Sequence, residues 1–405
     1  MAAGRSGTAD LPLHGGRVPA WLAARMARLG RVIVEAIAHE YGRDEVLRRL
    51  ASPFWFQSFG AVMGMDWHSS GITTSVVGAL KRGLAPVSRE LGLHVCGGRG
   101  RHSRRTPDEL TALGDAFGLD APALVRASRL VAKVDSAAVQ DGFDLYLHGF
   151  IVADDGAWVV VQQGMNTARR QARRYHWIWD HAAAGNFVDE PHAAIEGLPA
   201  GDIVNLVDRR SAAARAQVVG LARATPDTAI GGLTQLRMPA HHDVRAADID
   251  LGRLGKTLAA VADRGPHDFA ELLLVPGVGA RTLFALALVA EVVHGSPSRF
   301  SDPARFSLAH GGKDGHPFPV PLRVYDQTIA VLKRAVERAK LGDGDRLAAI
   351  RRLDDQARRA DGAAAMTADD FNHAVAAEWQ AKRQLGGREA ADDRPRSRRQ
   401  LALPF

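Results

Sequence analysis

Cysteine is almost missing from this chain: Cys96 is the only one in 405 residues, so no disulfide can close within it. A single thiol fits a reducing compartment. Lysine is scarce too, at seven of the 52 basic residues, which leaves arginine to carry the positive charge. Long apolar runs are lacking. The best of them, Leu283–Val293, contains Glu291 and stops well short of the roughly 20 residues that a bilayer span needs. The opening stretch, MAAGRSGTADLPLHGG, has no apolar core of the kind a secretory signal carries. These absences exclude a disulfide-stapled scaffold and a helical membrane protein. The expectation is a soluble, cytoplasmic protein with no membrane partner.

What is present is an ordinary globular balance, with 46% hydrophobic and 24% charged residues, and a net charge of +7. At about 100–200 residues per domain, the length suggests two or three domains. A basic surplus favours polyanionic partners. Arg-rich coding alone inflates such a surplus, so where the charge clusters says more than its sum.

Spacings of three and four (Leu22, Met26, Leu29, Ile33, Ile37, Tyr41) predict an amphipathic helix over 19–50. Thr106-Pro107-Asp108-Glu109 predicts a capping box that opens a helix ending at Gly118, and Asp120-Ala121-Pro122 opens another to about Val134. The period then changes. Segments 143–153 and 157–165, rich in Val, Ile, Tyr and Trp and split by Asp154-Asp155-Gly156, predict a β-hairpin. Helices are expected again over 246–263, 326–340, 345–359 and 367–385. The expected fold class is α+β and mostly helical. It comprises a helical region at 1–134, a β-hairpin-centred domain at 135–225, a helical domain at 226–385 and a polar, disordered tail at 386–405.

In the second helical domain, Asp268 can cap a short helix holding Leu272, Leu273 and Leu274, which Pro276-Gly277-Val278-Gly279 cannot continue. Val278 is placed to plug the turn from below, and Arg281 and Thr282 begin a second helix. Bare amides at such a turn and at a helix N-terminus make an anion site. A phosphate held there carries no base identity. This string resembles the helix-hairpin-helix of DNA glycosylases, Holliday-junction proteins and the C-terminal part of one transposase family. The resemblance implies sequence-independent DNA binding by Pro276, Gly277, Val278, Gly279, Arg281 and Thr282, in a motif spanning 268–294. The plain alternative is an αα-hairpin with a Gly-rich turn. Glycosylases carry a catalytic Asp shortly beyond the hairpin. Asp302 lies in that range, but its surroundings, Arg299-Phe300-Ser301-Asp302-Pro303, are more similar to the transposase segment, so it receives no catalytic role.

Further strings are distinctive: Gly7–Gly16 (GTADLPLHGG), Pro53–Gln57, Asp66–Gly71, Lys133–Asp135, Val139–Phe143, Val161–Asn166, Arg174–Trp177 and Glu190–His192. Over about 5–325 they resemble an uncharacterised prokaryotic family catalogued as domain of unknown function 763. That resemblance implies no chemistry, so the residues must speak for themselves. Lys133, Asp135 and Asp141 flank the entry to the first hairpin strand, His148 lies inside it, Gln162 and Gln163 end its partner, and Glu190 and His192 follow. Asp135, Asp141, Gln162 and His148 are candidate catalytic residues, and Asp141 with Glu190 a candidate pair of metal ligands. Carboxylate, amide and imidazole suit Mg²⁺ or Mn²⁺, which would activate water in a phosphodiesterase. The Glu-x-Lys or Gln-x-Lys signature of the large nuclease superfamily is missing, since Gln163-Gly164 follows Gln162. The plain readings are a turn residue for Asp141 and a strand-end amide for Gln162.

Arg169, Arg170, Arg173 and Arg174 run into Tyr175, His176, Trp177 and Trp179 with no acid among them. Arginine for phosphates and aromatics for unpaired bases is how single strands are held. A second acid-free stretch carries Arg99, Arg101, Arg104 and Arg105. For both, a solvated charge run is the plain reading. Finally, Gln400, Leu401, Leu403 and Phe405 resemble the short peptide by which bacterial repair and replication proteins dock on the sliding clamp. Together these features lead to the expectation of a DNA-binding protein of repair or replication, a metal-dependent nuclease on single-stranded or branched DNA. A non-catalytic DNA-binding adaptor and an RNA-binding protein are the alternatives.

Overall fold

The first amphipathic stretch folds as two helices, α1 (Ala20–Tyr41) and α2 (Arg43–Ala51), because Gly42 takes φ +90° and breaks the run. The structure is a computed structural model. It describes residues 18, 20–65, 70–180, 185–197, 200–227, 230–231, 251–304, 330–337 and 349–351. The Ser52 hydroxyl accepts from the Trp55 amide and starts α3 (Pro53–Val62), which is buried along its whole length. α4 (Gly71–Leu84) packs on α1.

After α5 (Ser88–Leu91), strand β1 (Leu93–Arg99) leads through α6 (Arg101–Arg104) into α7 (Thr106–Phe117) and α8 (Ala121–Lys133). Asp120 caps α8 through the Ala123 amide, as expected. The capping box on α7 does not form. Thr106 donates its hydroxyl to the Ser103 carbonyl, and Glu109 turns instead to the Lys81 ammonium and the Gly97 amide. α8 widens at its end into a single π-turn, Val134–Ala138, which delivers Asp135 to the sheet.

The chain then forms β2 (Val139–Gln140), β3 (Asp144–Ala153), β4 (Trp158–Asn166), β5 (Gln171–Ile178), β6 (Ala194–Glu196) and β7 (Val204–Asn205). The main sheet is antiparallel throughout, in the order β1-β3-β4-β5-β6, and β2 pairs with β7. The expected hairpin is its centre. β1 and β5 are additions that no alternation in the sequence announced, because both faces of the sheet are covered and a strand buried on both sides need not alternate. A register shift between Leu145 and Leu147 turns His148 toward α8.

One core lies between the sheet and α1–α4, with Leu332, Val336 and Ala349 joining it. The other lies between the opposite sheet face, α7, α8 and four later helices. Those are α9 (Ala212–Arg223), α10 (Leu251–Arg264), α11 (Phe269–Leu274) and α12 (Ala280–Val292). The fold is thus α+β, mostly helical around a small antiparallel sheet. Among the described residues no helix is long and apolar enough to cross a membrane.

Candidate functional site

The family-like strings at 133–143, 161–166, 174–177 and 190–192 converge on the sheet, where their polar side chains form closed networks. Asp135, fully buried, accepts from Gln162 Nε2, from Trp177 Nε1 at 3.0 Å and meets His192 Nε2 at 2.5 Å. Gln162 Oε1 lies 2.6 Å from His148 Nδ1, and His148 Nε2 lies 2.9 Å from the Ser128 hydroxyl on α8. Burial pushes the His148 imidazole down to about 4, so it is neutral at pH 7.

Asp141 stands apart from that chain. Its carboxylate accepts from Arg173 Nη1 at 2.9 Å, from the Tyr175 hydroxyl at 2.6 Å and from the Phe143 amide. Arg173 also grips both oxygens of Asp302, which accepts the Ala200 amide as well. On the other face Arg174 pairs with Glu196, donates to Gln57 and Thr73, and stacks over Phe56. Burial lifts the Glu196 carboxyl to about 7, against the pull of Arg174.

These placements correct the expectation for the first arginine cluster. Arg173 and Arg174 are wholly buried and bound to carboxylates, as Tyr175 and Trp177 are wholly buried, so none of the four is presented to a strand of nucleic acid. The acids that neutralise them, Asp141, Glu196 and Asp302, come from distant segments, which is why the local run looked unopposed. Arg169 is exposed and reaches the Ala200 carbonyl, and Arg170 sits in the turn at φ +57°.

The proposed metal pair is also not assembled. Glu190 is exposed and faces Arg209 at 3.5 Å, while Asp141 is buried against Arg173. Among the described residues no three His, Cys, Asp or Glu side chains are grouped to hold a metal ion. Asp135, His148 and Gln162 do come together, in a chain that also recruits Ser128, Trp177 and His192.

The Gly-rich turn has a different character. Asp268 caps α11 through the Glu271 amide, as expected, and the Glu271 carboxylate accepts from the His267 amide one residue before the cap. Val278 is buried beneath the turn, while Pro276, Gly277 and Arg281 are exposed. Gly277 needs its φ of +89°. Gly279 does not need to be glycine for any internal reason: its φ of −150° is extended backbone, and a Cβ there would meet nothing within 4 Å. α12 starts at this residue with no side-chain cap, so its first amides have no partner in the helix. Behind the turn, the buried Lys133 ammonium donates to the Val278 carbonyl at 2.6 Å and Gln140 Nε2 to the Ala280 carbonyl at 2.9 Å. These two braces were not foreseen, because each joins residues about 140 positions apart in the chain. On α10, Thr257 lies beside Gly277, with Arg253 and Lys256 exposed on the same helix.

Asp66, Trp67 and His68, the segment 386–405 and the clamp-like residues Gln400, Leu401, Leu403 and Phe405 lie outside the described residues. Comparison with known proteins gives one family model, described as a protein of unknown function (DUF763), matching residues 7–320. No curated protein and no solved structure matches the chain.

Proposed function

The chain belongs to the DUF763 family of proteins of unknown function, and since that membership leaves the activity open, we propose that it is a DNA-binding protein. In this reading it holds the phosphate backbone, without reading sequence, through a helix-hairpin-helix at 268–294. The observation that carries the reading is Gly279. Neither conformation nor packing asks for glycine there, and its bareness leaves the uncapped N-terminus of a 13-residue helix open to close approach. Backbone amides at a positive helix end bind phosphate oxygens. Arg281 and the exposed Arg253 and Lys256 add charge around them.

A binding rather than cleaving role is favoured, because the carboxylates suggested for catalysis are already committed to protein partners. Asp141 holds a buried arginine, and removing it would leave that charge half-paired, so lost activity in such a variant would not report catalysis.

Gly279→Asp tests the reading. Asp is a good N-cap, so the variant should melt no lower than the parent, and by up to a few tenths of a kcal/mol higher. Its carboxylate would occupy the place of the phosphate, so affinity for duplex DNA should fall by about tenfold or more on every sequence, with a shallower salt slope. A stable variant that binds DNA like the parent would overturn the assignment.

A further inference from the structure

Three elements gather where β3 begins. Gly100, at the end of β1, donates its amide to the Tyr146 carbonyl. Gly98 pairs with His148, whose imidazole meets Ser128 on α8. Five residues further along α8, Lys133 touches the Gly-rich turn through the Val278 carbonyl. At 1.5 Å of rise per residue, the two anchor points on α8, Ser128 and Lys133, are about 8 Å apart along the helix axis.

This end of the molecule is basic and exposed. Arg99, Arg101, Arg104 and Arg105 are all exposed around α6. Arg126 and Arg129 are exposed on α8, on the stripe that continues, at spacings of three and four, to Lys133. Arg99, Arg101, Arg105, Arg126 and Arg129 make no ion pair among the described residues. The nearby Glu109 is consumed by Lys81 and the Gly97 amide, which leaves the exposed Asp108 beside α6 and the exposed Asp144 at the start of β3 as acids against this group of arginines.

We propose that these arginines and the Gly-rich turn form one continuous track for the backbone of duplex DNA, running from α6 across α8 to the turn. The inference rests on the DNA-binding reading above and extends it to a second, larger contact surface. Charge complementarity selects a polyanion. Duplex is favoured over single strand because, among the described residues, no Phe, Tyr or Trp is exposed along the track, which leaves His102 on α6 as its one exposed aromatic ring.

The test uses the full chain, a mixed-sequence duplex of about 20 base pairs and a single strand of equal length, with affinity followed against salt. Two variants, Arg101→Glu with Arg105→Glu and Arg126→Glu with Arg129→Glu, alter exposed side chains and should melt like the parent. Each should weaken duplex binding by about tenfold or more and flatten the salt slope by up to about two. Weakening by only one pair, or by neither, would overturn the continuous track, and so would tighter binding of the single strand by the parent. If both pairs weaken binding and Gly279→Asp does not, the hairpin reading falls and the track as proposed falls with it, leaving an arginine surface that ends on α8. No duplex binding by the parent overturns both.

Discussion

His148 shows how a polar residue is made to serve a core. It donates or accepts on both ring nitrogens, to Gln162 and Ser128, and is fully buried. Its folded value of about 4 lies below the unfolded 6.5. A lowered histidine means the unfolded chain binds the proton first as pH falls, so its stabilising contribution is whole above pH 6.5 and is lost down to about pH 4. Glu196, raised from 4.5 to about 7, works the other way, stabilising below 4.5 and losing that contribution as pH rises to about 7. The two partly cancel in the parent. His148→Asn should remove one side of that balance. Between pH 7 and pH 5 the parent should lose about 2 kcal/mol relative to the variant. Urea denaturation of both proteins at the two pH values measures this. An equal pH response in both would show that His148 is not held neutral.

At the scale of the element, the helical hairpin depends on a residue about 145 positions earlier in the chain. The Lys133 ammonium, lowered from its ordinary value by burial, satisfies the Val278 carbonyl beneath the turn. Lys133→Met keeps the length and loses the donor. A buried carbonyl left bare costs about 1–3 kcal/mol, and here the cost should fall on the turn. Amide hydrogen exchange should accelerate over 275–283 while the β3–β4 amides keep their protection relative to one another. Unchanged exchange in the turn would mean that Gln140 and the Val278 plug suffice to hold it.

Across the whole molecule, Asp302 ties the segment after α12 to strand β5. It takes Arg173 in a two-point grip and the Ala200 amide, and the Asn205 and Ile203 amides reach the Arg299 and Phe300 carbonyls nearby. Asp302→Ala would leave a wholly buried guanidinium with Asp141 alone. Breaking a buried pair of this kind costs about 3–5 kcal/mol. A denaturation midpoint shifted by that amount is expected. A shift under about 1 kcal/mol, the range of exposed pairs, would show that Arg173 reaches solvent.

Local physics was legible in the sequence wherever it acts over a few residues. The Asp154-Asp155-Gly156 turn, the Asp120 and Asp268 caps, the Gly118 stop and the Val278 plug all follow from φ limits, cap chemistry and short periodicity. The lone cysteine and the want of a long apolar run likewise needed no coordinates. Tertiary structure alone decided which charges are free. Arg173 and Arg174 read as an open basic patch because Asp141, Asp302 and Glu196 are 22 to 129 residues away in sequence, yet they neutralise it inside the sheet. Arg101, Arg105, Arg126 and Arg129 remain exposed because no such acid is folded against them among the described residues. Coulomb attraction depends on distance through space, and distance through space is what a one-dimensional string withholds.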